Sequence, residues 1–451
     1  SCQSATITEN DSAGQSMTGA AGGTLSVALD SGSPSYALSS PGQTVELSRI
    51  KFSATNEAIE VRQVALQFRG AASNTPVNLV GQMVELYDAS TMAKVGEATF
   101  PGTLDTGSVE VATSSLISNF LVPRDGAKVM VVKGTVAGIS VSGPNTRSGD
   151  YLIVEYDGNN NGLTGNYGVG QSSGTTITPT GADTSSNGVR LVKSYPTFAK
   201  IDLSSSERLL TSGDDKTLYK FKVTANNGDV ALYKLTFSVS SSTVKGGGAY
   251  ATTTKYSLFV FTNDSFSTPD SQYNSATNPS GLVNSGNCFS GRGNSSLTES
   301  ATGGAHMLAP AGNLGSGSAA PEIYVDRTGC NSATTTLVIA SGQTRWFRLA
   351  ASIGTLAAAG TSESIQVQLE GDSAFPTRQQ VGLGYVGDMG RAGNGIDGTT
   401  DTGVDTDSHD DFIWSPISTT SSNSVYDLDY TNGYGVIGLP GSNMSVETIN
   451  K

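Results

Sequence analysis

Apolar and polar residues alternate through most of the chain in short runs, and Gly, Asn, Ser and Pro break the runs. A period of two sends successive side chains to opposite faces, so the pattern predicts β-strands joined by turns. The first set covers Leu25–Leu29, Val45–Phe52, Val61–Phe68, Val77–Tyr87, Val95–Phe100, Leu116–Leu121, Lys128–Val136 and Tyr151–Tyr156. A second set covers Val189–Pro196, Leu218–Val223, Val230–Val239, Tyr256–Phe261, Thr336–Ala340, Thr344–Ala350 and Ile365–Leu369. Many short strands with turn residues between them are the signature of a β-sandwich.

One stretch occurs twice. Ile50–Phe68 (IKFSATNEAIEVRQVALQF) and Tyr219–Phe237 (YKFKVTANNGDVALYKLTF) align without a gap at a shift of 169 positions. Six pairs are then identical: Lys51/Lys220, Phe52/Phe221, Thr55/Thr224, Val61/Val230, Leu66/Leu235 and Phe68/Phe237. Asp125–Val131 is expected to match Ser341–Phe347 in the same way. The expected fold class is therefore all-β, with two tandem Ig-like β-sandwich domains and extended N- and C-terminal segments. The expected division is an extended segment 1–22, sandwich 23–188 ending in the polar linker Thr175–Asn187, sandwich 189–383 with a loop insertion 262–317, and an acidic loop with an aromatic segment, 384–451.

Composition narrows the function classes. Hydrophobic residues make up 36% and charged residues 14% of the 451 positions, with 55 Gly, so long solvated helices are not expected. The net charge of −13 disfavours nucleic acid as a partner. Low charge per residue favours packed lateral association. No run of 18 apolar residues exists to span a bilayer as a helix. The chain opens at Ser1 without a signal-peptide pattern and reads as a mature, exported form. Sequons stand at Asn10, Asn263, Asn294 and Asn443, a frequency that a Ser/Thr-rich chain reaches by chance.

Three cysteines occur. Cys288 and Cys330 lie in Gly/Asn-rich loops of the second repeat, and a disulfide between them is expected, with two free thiols as the plain alternative. Cys2 is left for a partner subunit or for an anchored terminus.

Candidate chemistry is sparse. Gly170–Gly174 (GQSSG) spells a nucleophile elbow, but its flanks are loop and the chain has only His306 and His409. Gly382–Gly387 (GLGYVG) spells a dinucleotide fingerprint with no helix after it. Asp157–Gly162 (DGNNNG) begins like a calcium loop, yet the twelfth position is Gly168 in place of the bidentate Glu. Asp397, Asp401, Asp405, Asp407, Asp410 and Asp411 crowd one loop. Bound calcium would relieve their repulsion, with Asp405, Asp407, Asp410 and Asp411 as the candidate ligands; a solvated acidic loop is the plainer reading. No enzyme activity and no other cofactor is expected.

The segments TPVNLVGQMVELYD, NGVRLVKSYPTFAK, GDVALYKLTF and DDFIWSPIST…YTNGYGVIGLP carry a resemblance that extends over nearly the whole chain. They resemble uncharacterised secreted Ig-like-repeat surface proteins of ultra-small candidate-phylum (Patescibacteria-type) bacteria. The resemblance implies an extracellular location, Ig-like sandwiches and a surface role, and it transfers no catalytic residue.

The expected function is a structural subunit of an extracellular assembly, a pilus-like filament or surface layer. It would self-associate with copies of itself through terminal segments and sandwich edges, with residues 1–22 or 412–440 as the donated piece. The alternative is a cell-surface adhesin that binds host cells or glycans through the second-domain loop 262–335.

Overall fold

The computed structural model describes residues 22–35, 37–68, 74–101, 109–139, 150–243, 251, 253–276 and 279–283. Further on it describes 289–291, 298–299, 307–308, 318–319, 321–325, 336–354, 356, 362–372, 411–417, 431–439 and 444–451.

The strands of the first half are β1 (Thr24–Leu29), β2 (Ala37–Ser39), β3 (Thr44–Thr55), β4 (Ile59–Phe68), β5 (Leu79–Asp88), β6 (Lys94–Thr99) and β7 (Glu110–Val122). They continue with β8 (Ala127–Val136), β9 (Tyr151–Leu152), β10 (Glu155–Tyr156), β11 (Tyr167–Gly170), β12 (Thr176–Ile177) and β13 (Val189–Leu191). The second half opens with β14 (Tyr195–Lys200), β15 (Gly213–Asn226), β16 (Val230–Thr243) and β17 (Thr253–Phe261). Short strands follow: β18 (Phe289–Gly291), β19 (Thr298–Glu299), β20 (Met307–Leu308), β21 (Ser318–Ala319), β22 (Pro321–Tyr324) and β23 (Leu337–Ile339). The last are β24 (Thr344–Ile353), β25 (Glu363–Leu369), β26 (Phe412–Ser415), β27 (Thr431–Asn432) and β28 (Glu447–Asn450). Among the described residues there is no α-helix, only three short 3₁₀ turns. The all-β expectation holds.

The chain forms two compact units. Unit 1 comprises 1–35, 44–135 and 153–188; unit 2 comprises 36–43, 136–152 and 189–451. In unit 1, one sheet runs β1-β3-β8-β5-β6, and β4 carries β7 on one edge and β10 and β11 on the other. Phe52 packs edge-on against Phe120 and Tyr156, at 5.6 and 6.2 Å between ring centres, and Phe68 against Phe100 at 4.6 Å. In unit 2 the order β14-β15-β24-β17 matches β1-β3-β8-β5, and β16 stands where β4 stands. Its core is centred on Phe221, stacked on Phe347 at 4.8 Å.

The duplication is real, but its register is not the one the sequence alignment gave. Thr24 pairs with Thr55 in one copy and Tyr195 with Asn226 in the other, a shift of 171 positions. The bulge between Glu46 and Ser48 recurs between Thr217 and Tyr219 at the same shift. Buried Phe52 is thus the counterpart of Val223, and Lys51 of Lys222. Side chains repeat every two residues along a strand, so a slip of two keeps every inward and outward position and preserves chance identities. The true marker is the turn: Asn56 and Asn227 both adopt the left-handed conformation, with φ of 69° and 60°. The second match slips too, by one. Asp125 (φ 51°) answers to Gly342 (φ 74°), because both are the left-handed residue of the same turn.

Two boundaries change with the register. Thr175–Asn187 is no linker. Thr176 and Ile177 pair with β11, Val27 N–H donates to the Thr180 carbonyl, and Thr180 N–H donates to the Leu25 carbonyl, both at 2.8 Å. Nor does the aromatic C-terminal segment lie outside the duplication. β26 pairs with β16 as β11 pairs with β4, with a bulge at the same point. Ile437 bridges Thr197 as Thr180 bridges Ser26. β28 pairs with β25 as β13 pairs with β9: Ile449 faces Ile365 as Val189 faces Leu152. Each copy passes a glycine over its first strand, Gly181 by Val27 and Gly438 by Phe198. A Cβ there would overlap a backbone carbonyl.

Candidate functional site

The two segments singled out for calcium occupy one and the same connection. Residues 157–166 join β10 to β11, and residues 370–411 join β25 to β26. Asp157 N–H donates to the Ala65 carbonyl, and Glu370 N–H donates to the Thr236 carbonyl, the corresponding bond of the second copy.

In the short version the loop satisfies itself. Asn166 Nδ2 donates to the carbonyls of Asp157 (2.6 Å) and Asn160 (2.8 Å), while its Oδ1 accepts the Ala65 N–H at 2.7 Å. Asp183 accepts the Gly158 N–H and the Asn159 amide, both at 2.9 Å. Oxygens that a calcium ion would need are engaged by amide donors. DGNNNG is here an Asn/Gly turn.

In the long version only the ends lie among the described residues. Asp405, Asp407 and Asp410 fall outside them, as do Asp397 and Asp401. Asp411 is described and buried, and its N–H donates to Asp372 Oδ1 at 2.6 Å. Asp372 is fully buried and also accepts the N–H groups of Phe412 (3.2 Å) and Gly433. One carboxylate therefore clamps the chain where it re-enters the sheet, through charge-assisted hydrogen bonds to backbone donors. Sequence reading missed Asp372. Its signal was the match of Glu370-Gly371-Asp372 to Asp157-Gly158-Asn159, visible only in the corrected register. Among the described residues no three His, Cys, Asp or Glu side chains converge as metal ligands. Cys2, Cys288 and Cys330, both histidines and GLGYVG fall outside the described residues.

GQSSG is a turn that binds a carboxylate. Ser172 N–H (2.8 Å), Ser173 N–H (2.9 Å) and Ser173 Oγ (2.8 Å) all donate to Glu57, and Gly23 N–H adds a fourth bond at 2.8 Å. These donors pull the Glu57 carboxyl down to about 2, the Gly23 bond contributing most. Glu57, on the β3–β4 turn, thus ties both the β11–β12 turn and the start of β1 to it.

The aromatic segment is internal. Phe412 and Trp414 are fully buried, Phe412 edge-on to Phe198 at 4.9 Å, and the Trp414 indole N–H donates to the Asn432 carbonyl at 2.8 Å. Part of the piece expected to be donated to a neighbour is thus an interior strand, because those aromatics complete the unit's own core. Tyr434 is half-buried; Tyr426 and Tyr430 lie outside the described residues.

The strand that closes unit 2 is β28. Buried Glu447 meets Lys200 at 2.8 Å and Arg208 at 2.7 Å, and the bond to Glu447 raises the Arg208 pKa. Tyr219 OH donates to the Ser445 carbonyl, and Leu210 N–H to the Asn450 carbonyl, both at 2.7 Å. A cavity of about 210 Å³ opens beside it, among Glu207, Leu209, Thr211, Lys216, Ile353 and Ile449.

No family model and no curated protein matches the chain. Among solved structures, it is similar to the C-terminal domain of the Streptococcus agalactiae AgI/II polypeptide BspA, with 7% identity and a TM-score of 0.17 over 77% of this chain and 95% of that one. The C-terminal domain of the Streptococcus pyogenes antigen I/II-family protein AspA gives 8% identity and a TM-score of 0.19, over 77% and 94%. The collagen adhesin of S. aureus gives 12% and 0.14, over 78% and 87%. At such scores the fold description rests on the sheets themselves.

The arrangement joins clamps of one kind. Glu57, Asp372 and Glu447 are carboxylates that fasten loops and a closing strand to the sheets. Their chemistry is mechanical attachment.

Proposed function

We propose that the chain is a structural subunit of an extracellular assembly, a pilus-like filament or a surface layer, built by self-association of copies. The observation that carries this reading is the closing strand. β13 and β28 are the same element of two successive copies, and β13 runs within four residues into β14, the opening strand of the next. An architecture in which the last strand of the first copy belongs to unit 2 and runs on into its opening strand suits concatenation. Residues 1–22 and the sheet edges remain the pieces proposed for contact between copies. Sparse charge and strand-rich composition support a surface location, as does the resemblance to secreted bacterial surface proteins. Among the described residues no helix is long and apolar enough to cross a membrane.

Concentrating the purified chain and following it by sedimentation and negative-stain electron microscopy tests this. Ordered fibres or sheets are the expected result. A chain that stays monomeric across all concentrations and salts overturns it.

A second reading is favoured by one feature. The β17–β21 connection, 262–317, far outgrows its counterpart between β5 and β7, 89–109, and where the chain returns to the sheet β22 is fixed to β16 by the buried pair Lys234–Glu322 at 2.9 Å. A loop anchored in this way suits an adhesin for host cells or glycans. Loss of cell or glycan-array binding on deleting 284–317 would favour it; unchanged binding would remove it.

A further inference from the structure

The duplicated register allows any position of the second copy to be compared with its twin, and one surface differs sharply. Segment 36–43 of unit 2 is the twin of segment 207–214. In both, the chain runs parallel to the closing strand: Leu38 is opposite Arg190 in one, and Leu209 opposite Asn450 in the other.

Within unit 2 the first of these segments is covered. Leu38 packs against the unit's hydrophobic core alongside Tyr195, Ser40 is fully buried, and Arg190 is 3% exposed. Asn227, the left-handed residue of the β15–β16 turn, donates from Nδ2 to Ser40 Oγ. The second segment bridges its closing strand at the corresponding position, and among the described residues nothing covers it. Leu209 is 57% exposed, and Thr211 and Asn450, the twins of Ser40 and Arg190, are both exposed. The 210 Å³ cavity beside them is floored by Ile353 and Ile449.

The missing cover has a twin too. The counterpart of Asn227 is Asn56, on the β3–β4 turn of unit 1, which is exposed and holds the same left-handed conformation. We infer that the Leu209–Thr211 face of one copy is the docking site for the Asn56 turn of a second copy of this chain, in the mode by which Asn227 caps Ser40. The two surfaces are different patches of one molecule, so the contact is heterologous and propagates head to tail into a fibre. Leu209 is its apolar anchor, beside the cavity that Glu207, Thr211 and Lys216 also line.

This inference rests on the proposed self-association, and its test separates the two. Place a photo-crosslinking amino acid at Leu209 of the full chain, irradiate at assembly concentration, and sequence the joined peptides by mass spectrometry. Capture of the peptide around Asn56 from another copy is expected. In parallel, Leu209→Asp should raise the concentration needed for assembly by about tenfold or more. An Asn56→Arg variant should do the same, and an equimolar mixture of the two variants should stop at dimers. The thermal midpoint of Leu209→Asp should stay at the wild-type value, since Leu209 is exposed, whereas Asn56→Arg should lower it slightly because Arg tolerates the positive φ of that turn less well than Asn; the Leu209→Asp result therefore decides. If the wild type assembles while the variants assemble equally well, or the crosslinks fall elsewhere, the docking site is wrong and self-association stands. If the wild type never assembles, both fail.

Discussion

Trp414 offers the sharpest test of the corrected register. It occupies the same lattice point as Gly168: each faces β16 or β4 next to the same bulge, Trp414 opposite Leu232 and Gly168 opposite Val61. Trp414 is fully buried and its indole is hydrogen-bonded, whereas a Cβ on Gly168 would come within 2.8 Å of Ile59 Cγ2. Trp414→Ala removes a side chain that buries roughly 200 Å² of mostly apolar surface, which at about 25 cal/mol per Å² is about 5 kcal/mol. Partial collapse of the hole recovers some of this, and the lost indole bond adds about 1 kcal/mol, so a net cost of about 3–5 kcal/mol is expected. With a urea m-value of about 3 kcal/mol per molar for a unit of this size, the unfolding midpoint should fall by more than about 1 M. Trp346, in β24 of the same unit, remains as the fluorescence reporter. Gly168→Ala should instead weaken unit 1 and leave that signal unmoved. A Trp414→Ala midpoint within about 0.2 M of wild type would refute the interior placement and return the aromatic segment to the surface.

Glu57 sets a pH dependence. Its folded pKa lies below the unfolded value, so its contribution is complete above the ordinary carboxylate range and disappears as pH falls through about 2. Urea midpoints of unit 1 should therefore separate wild type from Glu57→Gln at pH 7 and converge near pH 2; a constant gap would contradict the clamp. Asp372→Ala should cost unit 2 about 2–4 kcal/mol, read by denaturant titration, because several buried N–H groups lose their acceptor together. Gly181→Ala and Gly438→Ala should each lower the melting of only their own unit, by at least about 2 kcal/mol, and hydrogen exchange resolved by unit would show any spill-over.

Alternation alone made the fold class legible, because burying one face of a strand leaves a period of two in any sequence. The turn residues were legible too. Asn56 and Asn227 are turn residues because few others tolerate a positive φ. The pairing of copies was not fixed at this level: a two-residue slip changes no side chain's face, and Lys51/Lys220 looked as good a match as Lys51/Lys222.

Of the candidate chemistry, sequence could mark GQSSG, DGNNNG and the acidic loop as unusual, but their meaning depended on partners distant in the chain. Glu57 lies more than 110 positions from Ser173, and Asp372 lies 61 from Gly433. Such clamps join groups that only the folded sheets bring within hydrogen-bond range. The same holds for the exposed Leu209 face. Leu38 and Leu209 are the same residue on the same strand path, and composition cannot tell them apart. The sequence by itself determined which residues face inward and where the chain turns, since those follow from local geometry. Which of two equivalent faces found a cover, and which stayed exposed, was decided by long-range packing in the tertiary structure.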